Sequence, residues 1–162
     1  MLPEDLLKYV FGFLEEDGLF RLRKVCKYFK KNAALQVLLY LKIKSCNKYL
    51  LSFNPDVFKN LKTLDCCNNQ LTEIPNIYGL IELYCNDNLL KKIPNITELK
   101  ELWCSRNQIT EIPNINKLKK LWCSNNLLTE IPHIIGLEEL CCYGNMLEKI
   151  PQIKNCKIYY LH

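Results

Sequence analysis

The chain has 162 residues, of which 49% are hydrophobic and 24% charged, a composition typical of a folded soluble protein rather than a disordered one. No apolar run reaches the ~18 residues of a membrane-spanning helix, and the formal net charge of +5 is carried without a dense basic run, so we expect neither a membrane nor a nucleic acid as partner. The chain has ten cysteines, and its acidic first residues do not resemble a secretory signal. Both observations indicate a reducing compartment, so we expect a cytoplasmic protein.

Residues 1–41 are predicted to form three helices. They are richer in apolar residues than the chain as a whole. Pro3 and the two acidic residues after it favour a helix start, and apolar residues then recur at the spacing of one broad helical face. Asp17 and Asn32 can cap a second and a third helix, the last ending near Leu41. A module of about 40 residues does not usually bury this much apolar surface alone, so the rest of the chain or another protein must cover it.

Residues 2–31 read LPEDLLKYVFGFLEEDGLFRLRKVCKYFKK, and this segment resembles an F-box. The Leu-Pro start, the acidic residue, the apolar helix and the Val-Cys-Lys segment match the family pattern, although Phe29 stands where a tryptophan is common. The resemblance implies docking to the Skp-family adaptor of cullin–RING ubiquitin ligases, with a following repeat domain that captures a substrate protein. The residues then expected to bind the adaptor are Leu2, Pro3, Leu6, Leu7, Val10, Phe11, Leu14, Leu19 and Leu22.

Residues 42–60 are predicted to be a rigid junction and an amino-terminal cap for residues 61–162. Asn54-Pro55-Asp56 favours a short helical turn, and Val57 and Phe58 supply apolar side chains that can seal the next element. The segment lacks glycine and is rich in Leu, Phe and Tyr, which is not the composition of a flexible linker.

Residues 61–162 are an internal repeat with a 19-residue period. Each unit follows the template LxxLxCxxNxLxxIPxI. Five complete units follow one another without a gap, and a partial sixth unit begins at Cys156. The complete units start at Leu61, Leu80, Leu99, Leu118 and Leu137.

The template predicts one short strand and an extended return in every unit. Positions 4 and 6, a leucine and a cysteine, are two residues apart, so on a strand both point to the same, inner face. Proline at position 15 forces extended backbone, and the dozen or so residues of the return are too few for two loops and a helix. An asparagine at position 9 can bond to the backbone of its own and the adjacent coil, which makes it structural. These asparagines are Asn69, Asn88, Asn107, Asn126 and Asn145.

This template resembles the leucine-rich repeat in its shortest, helix-free form. The resemblance implies a solenoid with a parallel sheet on its concave side and an extended, non-helical convex side. The fold class expected for the whole chain is therefore α+β: an F-box-like module in residues 1–41, a junction in 42–60 and leucine-rich repeats in 61–162. The short, cysteine-bearing units are also similar to F-box and repeat proteins of large DNA viruses of protists, which would place the protein in a host cytoplasm.

The outer face of the predicted sheet is the candidate target-binding surface. Position 5 of successive units reads Asp65, Tyr84, Trp103, Trp122, Cys141 and Tyr160, which brings both tryptophans of the chain side by side. Exposed aromatic side chains flanked by charges are typical of protein interfaces. Cross-strand aromatic pairs that merely cover each other and the sheet would give the same pattern. The residues expected to bind a target are Glu82, Tyr84, Glu101, Trp103, Lys120, Trp122, Glu139 and Tyr143.

The sequence carries no cofactor or enzyme motif, and its cysteines leave open a third alternative, a metal-binding thiol protein that would hold stoichiometric zinc after purification. The inner cysteines form a one-dimensional column, whereas zinc needs about four converging ligands, so we expect them to pack as small hydrophobic side chains. Cys67 and Cys141 are expected to point outward and to be open to oxidation. Glycine-rich phosphate loops, nucleophile elbows and helical histidine–carboxylate motifs are all absent.

The sequence as a whole predicts a non-catalytic substrate receptor of a Skp/cullin/F-box ubiquitin ligase, which binds the adaptor and an unknown target protein. The alternative is a plain leucine-rich-repeat binding module, whose helices only cap the solenoid and have no link to ubiquitin. The last predicted strand, in Ile158–His162, is not followed by a polar cap. We therefore expect the edge of the sheet to be exposed there, or to be covered by another molecule such as a second copy of the chain.

Overall fold

The computed structural model describes residues 61–150 and 152–159. The chain divides into two units, Met1–Leu38 and Leu39–His162, and every described residue belongs to the second. The predicted helices of residues 1–41, the junction in 42–60 and all the predicted adaptor-binding residues lie outside the described residues, and they stay predictions.

Six strands of three residues each form one sheet, in chain order and with every neighbouring pair parallel. The predicted parallel solenoid is therefore confirmed. The described residues contain no helix, so the convex side is extended as predicted, and none of these residues forms a helix that could cross a membrane. The strands are β1 Thr63–Asp65, β2 Glu82–Tyr84, β3 Glu101–Trp103, β4 Lys120–Trp122, β5 Glu139–Cys141 and β6 Lys157–Tyr159.

The core is a stack of similar layers inside the coil. The middle residue of each strand from β1 to β5 is a leucine that is 0% exposed, while the residues on either side of it in β1 to β4 are half-buried. Isoleucines of the return path close each layer from the convex side, where Pro75, Pro94 and Pro113 hold the chain extended. Because each layer packs only on its neighbours, stability depends on the stacking of successive coils.

The position-9 asparagines tie each coil to the one before it. Asn126 is 5% exposed, and its Nδ2 donates to the carbonyl oxygens of Cys104 and Cys123, both at 3.0 Å. Its Oδ1 accepts the backbone N–H of Ile109 at 3.0 Å. Asn88, Asn107 and Asn145 repeat the arrangement with the same spacing in sequence. These side chains pair backbone groups that would otherwise be buried without a partner.

The sixth strand departs from the 19-residue register. Lys157, Ile158 and Tyr159 pair with Glu139, Leu140 and Cys141, so the last step along the sheet is one residue shorter than the steps before it. The expectation that Tyr160 occupies position 5 is therefore wrong, because Tyr159 occupies it. A shift of one residue turns every side chain of a strand to the other face, and this shift places the aliphatic Ile158 against the core in line with the leucine column.

The sheet ends at β6, which among the described residues pairs only with β5. Ile158 and Cys156 are half-buried there against the core. The predicted pairing of this edge with a second copy stays a prediction.

Position 8 of each unit, directly before the asparagine, has left-handed backbone. Its φ is between 54° and 65° in all five units, at Asn68, Asp87, Arg106, Asn125 and Gly144. Glycine has no Cβ to clash with the following carbonyl oxygen in this region, and asparagine and aspartate compensate through local hydrogen bonds, whereas other residues pay roughly 1–2 kcal/mol there. Arg106 is the exception to the pattern.

We expect Arg106→Asn to stabilise the solenoid by about 0.5–1 kcal/mol, because it relieves backbone strain at this position. The ion pair that is lost, between Arg106 and Asp87 at 3.4 Å, is exposed and contributes little. Urea denaturation followed by circular dichroism measures the change. Lys91→Asn, which removes the same charge from an exposed site without a positive φ, is the control and should give no gain.

Candidate functional site

The outer face of the sheet carries three rows of side chains, one from each of positions 3, 5 and 7. The middle row contains four aromatic residues, Tyr84, Trp103, Trp122 and Tyr159, which we call the aromatic row. It follows from the parallel register, since Tyr84 pairs with Trp103 and Trp103 with Trp122. Position 3 contributes a charged row, with Glu82, Glu101, Lys120, Glu139 and Lys157.

The aromatic row is continuous and remains partly open to solvent. The ring centroids of Tyr84 and Trp103 are 5.8 Å apart, and those of Trp103 and Trp122 are 4.7 Å apart with only 5° between the ring planes. Both tryptophans are half-buried. The buried indole N–H of each has no acceptor among the described residues. The tryptophans therefore cover each other in part and stay partly open to solvent on the outer face of the sheet.

Cys141 corrects the expectation of an outward, oxidisable thiol. It lies in the middle row between Trp122 and Tyr159, but it is only 3% exposed. The two rings on either side approach to 5.5 Å between centroids, well under two strand spacings of ~4.8 Å, so they close over the small side chain. Its Sγ also lies 3.2 Å from the hydroxyl oxygen of Ser124.

The charged row is linked to the aromatic row by hydrogen bonds. The Tyr84 hydroxyl and the Thr63 hydroxyl both donate to Oε2 of Glu82, at 3.2 and 3.1 Å. Lys120 Nζ lies 3.1 Å from Oε1 of Glu101, and this carboxylate raises the pKa of the lysine. Burial, followed by the charges of Glu82 and Glu101, raises the pKa of Tyr84 to about 12. The phenol therefore stays protonated and remains a hydrogen-bond donor at neutral pH.

The structure brings seven of the eight predicted target-binding residues together on strands β2 to β5. The eighth, Tyr143, follows β5 in the position-7 row and is half-buried. Sequence analysis missed Lys157 and Tyr159, whose ammonium group and ring lie 4.8 Å apart. The available signal was Ile158, whose aliphatic side chain suits the core face and so places both of its neighbours on the outer face.

The inner cysteine column is part of the hydrophobic core of the coils. Cys85, Cys104 and Cys123 are free thiols at 0% exposure, and burial raises the pKa of each far above the ordinary value of 9.0. Protonated thiols are poor nucleophiles. Within residues 61–150 and 152–159, no three His, Cys, Asp or Glu side chains converge to hold a metal ion.

We expect Cys67, the exposed thiol predicted from the sequence, to be a slow nucleophile at neutral pH. It is half-buried, and burial, partly offset by a backbone hydrogen bond from Asn86, leaves its pKa raised from 9.0 to about 11. Its alkylation rate should rise about tenfold per pH unit and continue to rise above pH 9, because the thiolate fraction controls the rate. Iodoacetamide labelling followed by peptide mass spectrometry measures this. In the denatured chain, the alkylation rate of the same thiol should stop rising near pH 9, its ordinary pKa.

Comparison with known families separates the chain into two parts. The F-box domain family matches residues 1–34. Leucine-rich-repeat families match residues 60–80 as a single repeat and residues 78–117 and 97–136 as two-copy units. The chain carries an F-box domain and leucine-rich repeats. Domains of both kinds are generally non-catalytic interaction modules, and their combination indicates a protein-interaction adaptor.

The solenoid also has a structural relative. A leucine-rich-repeat protein of Leptospira interrogans superposes with a TM-score of 0.56 and 24% sequence identity over 77% of this chain. The match spans only 38% of the bacterial protein, so the similarity concerns the repeat fold alone. No curated protein is significantly similar to the chain in sequence.

Proposed function

We propose that this F-box and leucine-rich-repeat protein is a substrate receptor of a Skp/cullin/F-box ubiquitin ligase. The observation that carries the proposal is an aromatic row on the concave face of a solenoid that is joined, in the same chain, to an F-box domain. The F-box would dock a Skp-family adaptor through its apolar residues, and the concave face would hold a target protein. The reaction itself would belong to the other subunits of the ligase.

The concave face is suited to hold a protein because it combines apolar area with fixed polar groups. Folding does not require Trp103 and Trp122 to be on this face, since the core below them is filled by leucine and cysteine. Rigid aromatic side chains with a charged rim are the features that dominate binding energy at protein interfaces. We also propose the cytoplasm, a reducing compartment, as the place of action, because a chain with ten cysteines keeps its thiols free there.

The test is co-expression of the full chain with a eukaryotic Skp-family adaptor, followed by size exclusion with light scattering. We expect a stable 1:1 complex. Leu7→Asp, in the F-box sequence, should abolish it, because a buried charge opposite an apolar adaptor surface costs several kcal/mol. The matched control Leu89→Asp introduces the same charge at a side chain that is already 44% exposed on the repeats, and it should leave the complex intact.

The alternative function is a leucine-rich-repeat binding module with no ubiquitin link. It predicts that the wild-type protein, mixed with the adaptor at about 10 μM, remains a monomer and forms no complex. If the wild type forms no complex while its repeats are folded, the ligase proposal fails and only the binding module remains. The similarity to proteins of large DNA viruses, and hence action in a host cytoplasm, stays a prediction.

A further inference from the structure

One end of the aromatic row differs from the other in charge. In register, Glu139 lies between Lys120 and Lys157, whereas Glu82 lies between Thr63 and Glu101. Asp65 pairs with Tyr84, so a second carboxylate stands where the aromatic row begins. Among the described residues, no lysine or arginine forms an ion pair with Asp65 or Glu82. We call these two residues the acidic corner.

Both carboxylates of the acidic corner are held by donors from the fold. The hydroxyl groups of Thr63 and Tyr84 both donate to Oε2 of Glu82. Neither of these two hydrogen bonds uses Oε1 of the same carboxylate. Asp65 Oδ1 accepts the backbone N–H of Cys67 at 3.3 Å. Carboxylates that are already oriented lose less side-chain entropy when a cation binds, so this corner is arranged to accept one.

We propose that the segment captured by the concave face carries an arginine or lysine that binds the acidic corner, next to apolar side chains that pack on Trp103 and Trp122. This inference rests on the proposed function and specifies the chemistry of its target. A guanidinium or ammonium group supplies the opposite charge that no described residue gives Asp65 or Glu82 in an ion pair, and bidentate pairing with a carboxylate favours arginine. The acidic corner repels phosphate groups, which makes a nucleic acid a poor occupant of this face.

The length of the row sets the length of the segment. From β2 to β6 there are four strand spacings of ~4.8 Å each, about 19 Å in all, and an extended chain covers this distance with about six residues. The basic residue should therefore lie near one end of the segment, with the apolar side chains within the next few residues.

Selection from a phage-displayed library of random octapeptides on the immobilised full chain tests the proposal. We expect recovered peptides to carry an arginine or lysine near one end and apolar residues after it. The affinity of the best synthetic peptide should fall about tenfold in the double variant Asp65→Asn/Glu82→Gln, and added salt should weaken binding to the wild type more than to this variant. Both substitutions keep side-chain shape, and the new amide oxygens can still accept hydrogen bonds from the hydroxyl and backbone donors of the corner.

The matched control is Glu73→Gln/Glu130→Gln, which removes two charges from exposed residues of the return path. It should bind the peptide as the wild type does. The inference is overturned if recovered peptides show no excess of basic residues, or if the two double variants bind equally well. If the recovered peptides lack a basic residue but still need Trp122 for binding, the proposed arginine or lysine is wrong. The proposal that the concave face binds a target protein then still stands. If the chain binds the peptide but forms no complex with the Skp-family adaptor, the ligase proposal is refuted instead.

Discussion

Asn126→Ala should destabilise the solenoid by about 3 kcal/mol or more, the largest effect that we expect from a single polar side chain. Its amide joins the backbone of its own coil to that of the coil before it, bonding the carbonyl oxygens of Cys104 and Cys123 and the N–H of Ile109. Removing it takes a partner from four backbone groups, since Nδ2 also donates to the Ser124 carbonyl oxygen at 3.3 Å. The three oxygens each keep another donor, so each of these lost bonds costs about 0.5–1.5 kcal/mol, and the N–H of Ile109 costs about 1–3 kcal/mol when left unpaired. Urea denaturation monitored by circular dichroism should show a lower midpoint with an unchanged slope.

Two further variants separate this hydrogen bonding from simple loss of side-chain volume. Asn126→Asp keeps the shape but cannot donate to the carbonyl oxygens, and it adds a buried charge, so we expect it to be at least as destabilising. Asn114→Ala removes the same side chain from an exposed position on the return path and should change stability by less than about 0.5 kcal/mol. Equal effects at Asn126 and Asn114 would contradict the role assigned to the position-9 asparagines.

Trp122→Ala should weaken capture of the target about 100-fold while leaving the fold intact. The indole stacks on Trp103 at 4.7 Å and lies 5.5 Å from Tyr159, so its removal interrupts the aromatic row at its centre. Truncation of such central aromatic anchors typically costs about 2–4 kcal/mol of binding free energy. Isothermal titration calorimetry with a selected peptide measures the loss. The core leucine beneath, Leu121, is untouched, so thermal unfolding should remain cooperative.

The control for this truncation is Tyr78→Ala, which removes a large aromatic side chain that is 74% exposed on the convex side. It should leave peptide affinity unchanged. The same Trp122→Ala protein should also become reactive at Cys141, because the ring that helps to cover this thiol is gone. A target affinity that responds equally to Tyr78→Ala and Trp122→Ala would place the binding surface away from the concave face.

The repeat fold was predictable because each coil obeys one local rule. The alternation of Leu64 with its neighbours defines which face is buried, and the same pattern recurs in every unit. The prolines of the return exclude a helix, and the asparagines mark the end of each strand. Adjacent coils align position by position, so the proximity of Trp103 and Trp122 also followed from the sequence alone.

Other features depended on distances between side chains from different coils, and only the tertiary structure decided them. Tyr159 replaced Tyr160 on the concave face because packing of Ile158 against the core outweighed the numerical period. Cys141 became buried because the larger rings on both sides reach across it. Glu82 and Glu139 occupy the same position in the repeat, yet only Glu139 lies between two lysines. The period thus determined the architecture, while contacts between coils determined the electrostatics of the face that we propose binds a target.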